Sequence, residues 1–200
     1  MRLAQACGIE TPEVRLIALG DNKSALAIKR FDTDGQAIFP LMSAASAIGY
    51  AEGEQIKKDY RYVAQALIRL SSRPQEDCLS LFKRLVLNVL IFNRDDHIFN
   101  QALLMKNGRW QLSPVYDVVC GEGNSRTHAM TIGEQGATGN LSNVLSAANS
   151  FGLNATHAKQ VVDEVREVVS GWQEIAKVNG IETGDAQKIA WAIAHADALR

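Results

Sequence analysis

The residues best suited to chemistry are Asn93-Arg94-Asp95-Asp96-His97-Ile98-Phe99-Asn100, followed further along by Tyr116-Asp117. This order of acidic, imidazole and amide side chains fits phosphoryl transfer. There, one Asp meets the incoming hydroxyl, an Asn five positions later holds a magnesium ion, and a second Asp beyond a short hairpin supplies the other metal contact. Asp95, Asn100 and Asp117 fall in that order. Magnesium is a hard ion that takes oxygen from one or two side chains and from the phosphates themselves, so one amide oxygen and one carboxylate suffice. An ordinary Asp is a weak base but a good positioner of a hydroxyl, which suits Asp95. Its neighbours Asp96 and His97 are also able to accept the proton, and spacing does not rank them. Asn and Asp equally dominate turns and helix ends, and a D-x-x-x-x-N pattern is short, so the surrounding elements must decide.

Upstream, Ser71 and Ser72 precede Pro74, a helix start, and Cys78, Leu81, Phe82, Leu85, Val86, Val89 and Phe92 recur at three- and four-residue steps. A helix of about five turns is predicted. Its second half, Leu85 to Phe92, is apolar nearly all round, which marks a helix buried on several sides that delivers the polar loop from the core. Downstream, the strands Gln101–Met105 and Trp110–Leu112 flank Lys106-Asn107-Gly108-Arg109, where Asn-Gly favours a tight hairpin turn. The hairpin returns the chain to Asp117.

Buried helix, polar loop, hairpin and Asp together resemble the C-terminal lobe of kinases. Asp95-Asp96-His97-Ile98-Phe99-Asn100 and Leu112-Ser113-Pro114-Val115-Tyr116-Asp117 are similar to the D-x-H-x-x-N and L-x-P-x-Y-D patterns of the HipA family. These are bacterial serine/threonine kinases, the toxins of high-persistence toxin-antitoxin modules. The resemblance implies that Asp95 is the catalytic Asp, that His97 supports its loop, and that Asn100 and Asp117 bind magnesium. Met1 to Ile9 is similar to the family's helix before a P-E-x-x-L strand, here Pro12-Glu13-Val14-Arg15-Leu16. Ala25 to Asp32 looks like the hinge, a strand ending in R-F-D whose backbone would bind adenine, so Lys29, Arg30 and Phe31 are candidate ATP-binding residues. His128 to Gly133 resembles the strand-like piece after the metal Asp.

The family also carries a phosphate-covering loop, an ATP-contacting lysine and an antitoxin-docking domain before the point where this sequence starts. None is evident here: Gly20-Asp21-Asn22-Lys23-Ser24 lacks Walker spacing. Ala27-Ile28-Lys29 admits a second assignment, since V-A-I-K marks the ATP-contacting lysine of ordinary protein kinases. Only Gly8 and Gly20 lie upstream, too few for a glycine-rich cover, and Arg30-Phe31-Asp32 matches the hinge better.

At 200 residues with 46% hydrophobic content, the chain falls in the range of one domain with a sizeable core. Twenty-one basic against twenty-two acidic side chains give a net charge of −1, and no Lys/Arg cluster marks a direct nucleic-acid binder. Cys7, Cys78 and Cys120 are few, odd in number and widely spaced, as expected of reduced thiols. The longest apolar run is broken by Asn88, short of a membrane span. A cytoplasmic protein is expected. His128, His157 and His195 make no metal-ligand spacing with His97 and read as structural or exposed.

The remainder reads as helical. Ala45–Ile48 and Gln55–Leu70 carry apolar residues at helical steps, with Tyr60, Val63, Ala64, Leu67 and Leu70 on one face and Lys57, Lys58, Arg61 and Arg69 on a solvated one. Asn140 caps a helix running to about Ser150. Asn154 or Thr156 starts another through Val161, Val162, Val165, Val168, Val169 and Trp172. A last helix begins near Thr183 or Asp185 and carries Ile189, Trp191 and Ile193. Gly121 to Thr127 and Gly133 to Gly139 are turn-rich and expected to be mobile. The first occupies the place of an activation segment, with Ser125 and Thr127 as its hydroxyls.

The fold class expected is α+β, mainly helical: residues 1–34 as a remnant of the kinase N-lobe and hinge, and 35–200 as a HipA-like helical lobe. Two functions follow. One is a serine/threonine kinase moving the γ-phosphate of ATP, with Mg²⁺, to a protein hydroxyl. Its family-implied target class is an aminoacyl-tRNA synthetase, and its family-implied partner a HipB-like antitoxin. The other is a non-catalytic HipA-like module acting through a protein partner.

Overall fold

The computed structural model describes residues 1–20, 23–49, 58–122, 125–181 and 183–197, the side chains of 183 and 195–197 excepted. Asp21, Asn22, Gln55 to Lys57, Gly123, Asn124 and the side chain of His195 therefore lie outside the described residues. Among those described, no helix is long and apolar enough to cross a membrane. Cys7 and Cys78 are buried free thiols and Cys120 is half-buried.

Helix α1 (Arg2–Ala6) leads into an antiparallel hairpin, β1 (Val14–Gly20) and β2 (Lys23–Ile28), in which Leu16 faces Leu26 and Ile17 faces Ala25. A separate three-stranded sheet has the order β3 (Leu41–Ser43), β4 (Ala102–Lys106), β5 (Arg109–Leu112). Asn107 and Gly108, both at positive φ, form the tight β4–β5 turn. Short α2 (Ala44–Ala47) and α3 (Tyr60–Leu70) precede the central helix α4 (Pro74–Leu90). Then follow α5 (Leu141–Ser146), a 3₁₀ turn at Ala148–Phe151, α6 (Ala155–Ser170), α7 (Trp172–Val178) and α8 (Thr183–Asp197).

Helix α4 is the hub, as its all-round apolar second half predicts. Leu81, Phe82, Leu85, Val86, Leu87, Val89 and Leu90 are all buried, with α3 and α6 packed against it. The Phe82 ring meets Phe151 edge-on at 5.2 Å. Pro74 opens the helix at its first turn, where its missing N–H costs nothing.

Several expectations are corrected. The helix expected from Gln55 begins at Tyr60: Lys58 is not helical, and Asp59 caps the start by accepting from Arg61 N at 2.8 Å. Its basic face is solvated as expected, with Lys58 and Arg69 exposed and Arg61 half-buried, while Arg61 also pairs with Asp59 and Arg69 donates to the Ala47 carbonyl at 2.6 Å. Asn140 does cap α5, but that helix stops at Ser146 and continues as a 3₁₀ turn. Asn154 caps α6, which ends at Gly171, so Trp172 opens a new helix. The Gly133–Gly139 segment is anchored, contrary to expectation. Buried Asn143 donates to the carbonyls of Gly136 (3.0 Å) and Thr138 (2.8 Å) and accepts from Gln135 N (2.8 Å). A Cβ on Gly133 would lie 2.2 Å from the Asn143 carbonyl, so glycine here serves close packing.

Candidate active site at the loop after the central helix

Phe92, at φ +59°, turns the chain sharply out of α4, and the polar loop Asn93–Asn100 begins there. The turn is closed by Asn93 N donating to the Asn88 carbonyl at 2.8 Å. Gly121 crosses behind it: a Cβ at that position would fall 1.8 Å from the Phe92 carbonyl oxygen, so only glycine fits. Further along, fully buried Ile98 anchors a 3₁₀ turn, Ile98–Asn100, that feeds directly into β4.

The two adjacent carboxylates point to opposite environments. Asp95 is exposed. Asp96 is 4% exposed and accepts from the Tyr60 hydroxyl, from Asn88 Nδ2 at 2.8 Å and from Gln101 Nε2 at 3.1 Å. Beyond it, Arg84, 1% exposed, donates to Gln101 Oε1 at 3.1 Å and to the Ser113 carbonyl. Burial pushes the Asp96 carboxyl upward against the opposing pull of Tyr60, Gln101 and the Arg84 charge. Burial likewise lowers Arg84 to about 10 and drives the Tyr60 hydroxyl well up. Asp96 is therefore a structural residue fastening the loop to α3, α4 and β4, which removes it as the alternative proton acceptor.

Asn100 and Asp117 meet across the β4–β5 hairpin, with Asn100 Nδ2 donating to Asp117 Oδ2 at 3.0 Å. The same amide nitrogen lies 3.5 Å from the Asp95 carbonyl. Asp117 is exposed and sits at φ +56°, a left-handed conformation that Asp and Asn tolerate better than other side chains. An amide and a carboxylate are the side-chain types magnesium takes, completed by phosphate and water oxygens, but the Asn100 amide nitrogen is what faces Asp117 here, so the amide must turn over to present its oxygen to an ion. His97 is half-buried, edge-on to Phe99 at 6.0 Å, and its Nδ1 is buried with no hydrogen-bond partner among the described residues.

The segment expected to be the hinge reaches the same place through one aromatic contact. Phe31 stacks on Tyr116 at 5.8 Å, and the Tyr116 hydroxyl donates to the Phe99 carbonyl at 2.7 Å, so Phe31 and the residue before Asp117 are tied. Lys29 is exposed and paired with Glu13 at 3.2 Å, and Arg30 is paired with Asp32 at 2.8 Å.

On the other side of Asp95 lies a cleft of about 480 Å³ lined by Asn93, Arg94, Asp95, Glu122, Thr127 and His128, among others. Arg94 packs over the Phe92 ring and donates to the Glu122 carbonyl. His128 is buried, and burial together with the Arg94 charge lowers it to about 4, leaving a neutral imidazole. His128 opens the segment to Gly133 that resembles the family's strand-like piece, but no local signal in the sequence points to its burial beside this cleft. Arg84 was equally hidden, since a single Arg in an apolar helix reads as surface. Thr127 is exposed at the mouth of the cleft; Ser125 is exposed too, its hydroxyl accepting from Thr127 N at 3.2 Å.

A buried helix delivering a polar loop, and a hairpin that closes an Asn–Asp pair, define the catalytic-lobe architecture of the protein-kinase class. The fold agrees with solved structures. It matches Shewanella oneidensis HipA, crystallised with HipB and operator DNA, with a TM-score of 0.73 at 20% identity over 99% of this chain and 53% of that one. It matches the Helicobacter pylori proinflammatory kinase CtkA with a TM-score of 0.59 at 15% identity over 98% of this chain and 78% of that one. Residues 1–172 match the model of the HipA-like C-terminal domain, and the chain belongs to that family. A protein of Sinorhizobium fredii named "Putative kinase Y4dM" is 27% identical over 212 residues, which is 95% of this chain and 50% of that protein. The chain thus spans about half the length of the curated relative it matches.

Proposed function

We propose that this chain is the catalytic lobe of a HipA-type serine/threonine kinase, which transfers the γ-phosphate of ATP to a protein hydroxyl. The observation that carries the reading is the 3.0 Å contact of Asn100 with Asp117 beside exposed Asp95, all three presented from one rigid, buried support. In this reading residues 1–34 are the hinge and the stub of the N-lobe, and residues 35–200 are the catalytic lobe.

Asp95 orients the acceptor hydroxyl and takes its proton late in the transfer. Asn100 and Asp117 would hold magnesium, which when bound offsets the charge on the phosphate oxygens. The backbone of Lys29, Arg30 and Phe31 would take the adenine, with Phe31 fixed by Tyr116. His97 supports the loop rather than the proton. The buried Asp96–Tyr60–Gln101–Arg84 network keeps Asp95 turned outward, so its contribution is preorganisation. By family resemblance the target class is an aminoacyl-tRNA synthetase, and the partner is an antitoxin of the HipB kind, as accompanies HipA in the Shewanella structure.

The test is calorimetric binding of a non-hydrolysable ATP analogue with magnesium, comparing the natural chain with Asp117→Asn. Asn keeps the left-handed backbone and the volume, so its melting temperature is expected within about 2 °C of the parent. Magnesium-dependent binding that disappears in the variant supports the reading. No binding by either protein favours the second reading, a non-catalytic HipA-like module acting through a protein partner.

A further inference from the structure

Phe92 holds a backbone conformation that a bulky side chain avoids. It sits at φ +59°, in the left-handed region, where α4 ends and the polar loop begins. Such a residue persists only where its surroundings over-determine it. The backbone side is fixed by Asn93 N, which donates to the Asn88 carbonyl at 2.8 Å, and by Gly121, where the approach to the Phe92 carbonyl leaves no room for a Cβ. The ring side is fixed by α8: Trp191 meets the buried Phe92 ring edge-on, with centroids 5.7 Å apart and planes at 80°. Arg94 lies over the same ring at 5.1 Å, donates to the Glu122 carbonyl, and accepts at its own carbonyl from Ala129 N at 2.8 Å. Contacts thus run from Trp191 through Phe92 to Arg94, the residue before Asp95.

We propose that Trp191 is a positioning residue for Asp95, fixing the Phe92 ring and through it the direction in which the loop leaves α4. The inference rests on the reading of Asp95 as the residue that meets the acceptor hydroxyl. Exposed Asp95 is then bracketed: the buried Asp96 network fastens the loop one residue later, and the Trp191–Phe92–Arg94 stack fastens it one residue earlier. Both matter, because the hydroxyl must be met in one orientation and a small displacement of the group that meets it slows transfer steeply. The placement of Trp191 sets it apart from a filler of the core. Trp172 belongs to the main apolar cluster, whereas Trp191 is half-buried beside a polar recess lined by Glu122, Gly184, Gln187 and Lys188. Ala192 and Ile193, the next two residues, are buried, and α8 packs against α4, so the indole is held in place. Residues 1–172 carry the family match, so this support comes from outside the matched domain.

The test is amide hydrogen exchange in the complete chain, read at Asn93 and Ala129, whose N–H groups donate to the Asn88 and Arg94 carbonyls, with Leu103 and Leu104 of β4 as the internal reference. Trp191→Ala is expected to speed exchange at both reporters at least ~10-fold while the β4 amides keep the parent rates. Trp191→Leu fills the space without an aromatic edge and serves where the alanine variant fails to fold, with the same result expected. Trp191→Phe returns an aromatic edge to Phe92 and should bring both reporters back to within ~3-fold of the parent. Ile189→Ala loosens the same helix from the side facing Trp172 and Ile175 and should leave both reporters unchanged. Unchanged exchange in Trp191→Ala overturns the proposal. So does acceleration that Trp191→Phe fails to reverse, that Ile189→Ala reproduces, or that β4 shares, since the loop would then follow the stability of α8 or of the whole fold. Binding of the non-hydrolysable ATP analogue with magnesium is expected to survive Trp191→Ala, because Asn100 and Asp117 stand on the β4–β5 side. Binding lost in that variant alone overturns the assignment to Asp95. Faster loop exchange without magnesium-dependent binding by any of the proteins removes the kinase reading and leaves Trp191 as the brace of the loop.

Discussion

Replacing Asp96 by Ala separates its role from that of Asp95 most sharply. The substitution leaves the Tyr60 hydroxyl, Asn88 Nδ2 and Gln101 Nε2 without their shared acceptor, and it removes the carboxylate facing fully buried Arg84. Each buried donor left unpaired costs about 1–3 kcal/mol, and breaking a buried charge pair costs about 3–5 kcal/mol. Summing every donor overshoots, because Tyr60 also accepts from Asn88 at 3.2 Å and water enters the gap, so the expected loss is about 3–5 kcal/mol. For a chain of this size that lowers the melting temperature by roughly 6–20 °C. Asp96→Asn, which keeps the volume and one acceptor oxygen, should fall between Ala and the natural residue. Asp95→Asn, at the exposed neighbouring position, should change stability by less than about 0.5 kcal/mol while abolishing phosphoryl transfer in an active assembly. Urea unfolding followed by tryptophan fluorescence reads all three. An Asp96→Ala loss below about 1 kcal/mol, or a larger loss for Asp95→Asn, would refute the division of labour drawn between these neighbours.

Three further outcomes are expected. His128 is held at about 4 against an ordinary 6.5, so the unfolded chain takes up its proton first as pH falls. Stability should therefore drop by about 3 kcal/mol between pH 6.5 and 4, and His128→Gln should flatten that part of the pH profile by a similar amount. Asn143→Ala strips three backbone groups of their partner and should cost about 2–4 kcal/mol, with faster amide exchange confined to residues 133–139. Asn154→Ala, at the cap of α6, should cost about 1 kcal/mol in thermal unfolding without affecting nucleotide binding.

Within the loop, the pairing of roles follows from a one-residue difference in direction. Asp95 and Asp96 are consecutive, so a 3₁₀ entry that buries Ile98 sends one carboxylate inward and the other out. The inward one rigidifies the outward one. Buried polar networks hold a unique geometry in this way, and around Asp96 every named donor meets its acceptor even though Arg84 Nε has no hydrogen-bond partner among the described residues.

Short-range rules account for much that the chain reveals before it folds. Helical periodicity and Pro74 set α4, Asn107-Gly108 set the β4–β5 turn, and Asn140 and Asn154 set two helix starts, because each depends on residues within a few positions. The order Asp95, Asn100, Asp117 pointed from residue type and spacing to one place, and the structure brings Asn100 and Asp117 into contact there. Which Asp faces solvent emerges only on folding, since Asp96 is buried by partners 36, 8 and 5 residues away whose convergence no local pattern encodes. Folding alone placed Arg84 inside an apolar helix, because the carbonyl of Ser113 and the amide of Gln101 are supplied by segments far along the chain. It alone anchored Gly133–Gly139: Gly133 is small to admit Asn143 and Gly139 to admit His128, while Gly136 does use left-handed freedom at φ +65°, and such close approaches belong to the assembly of elements and not to any one of them.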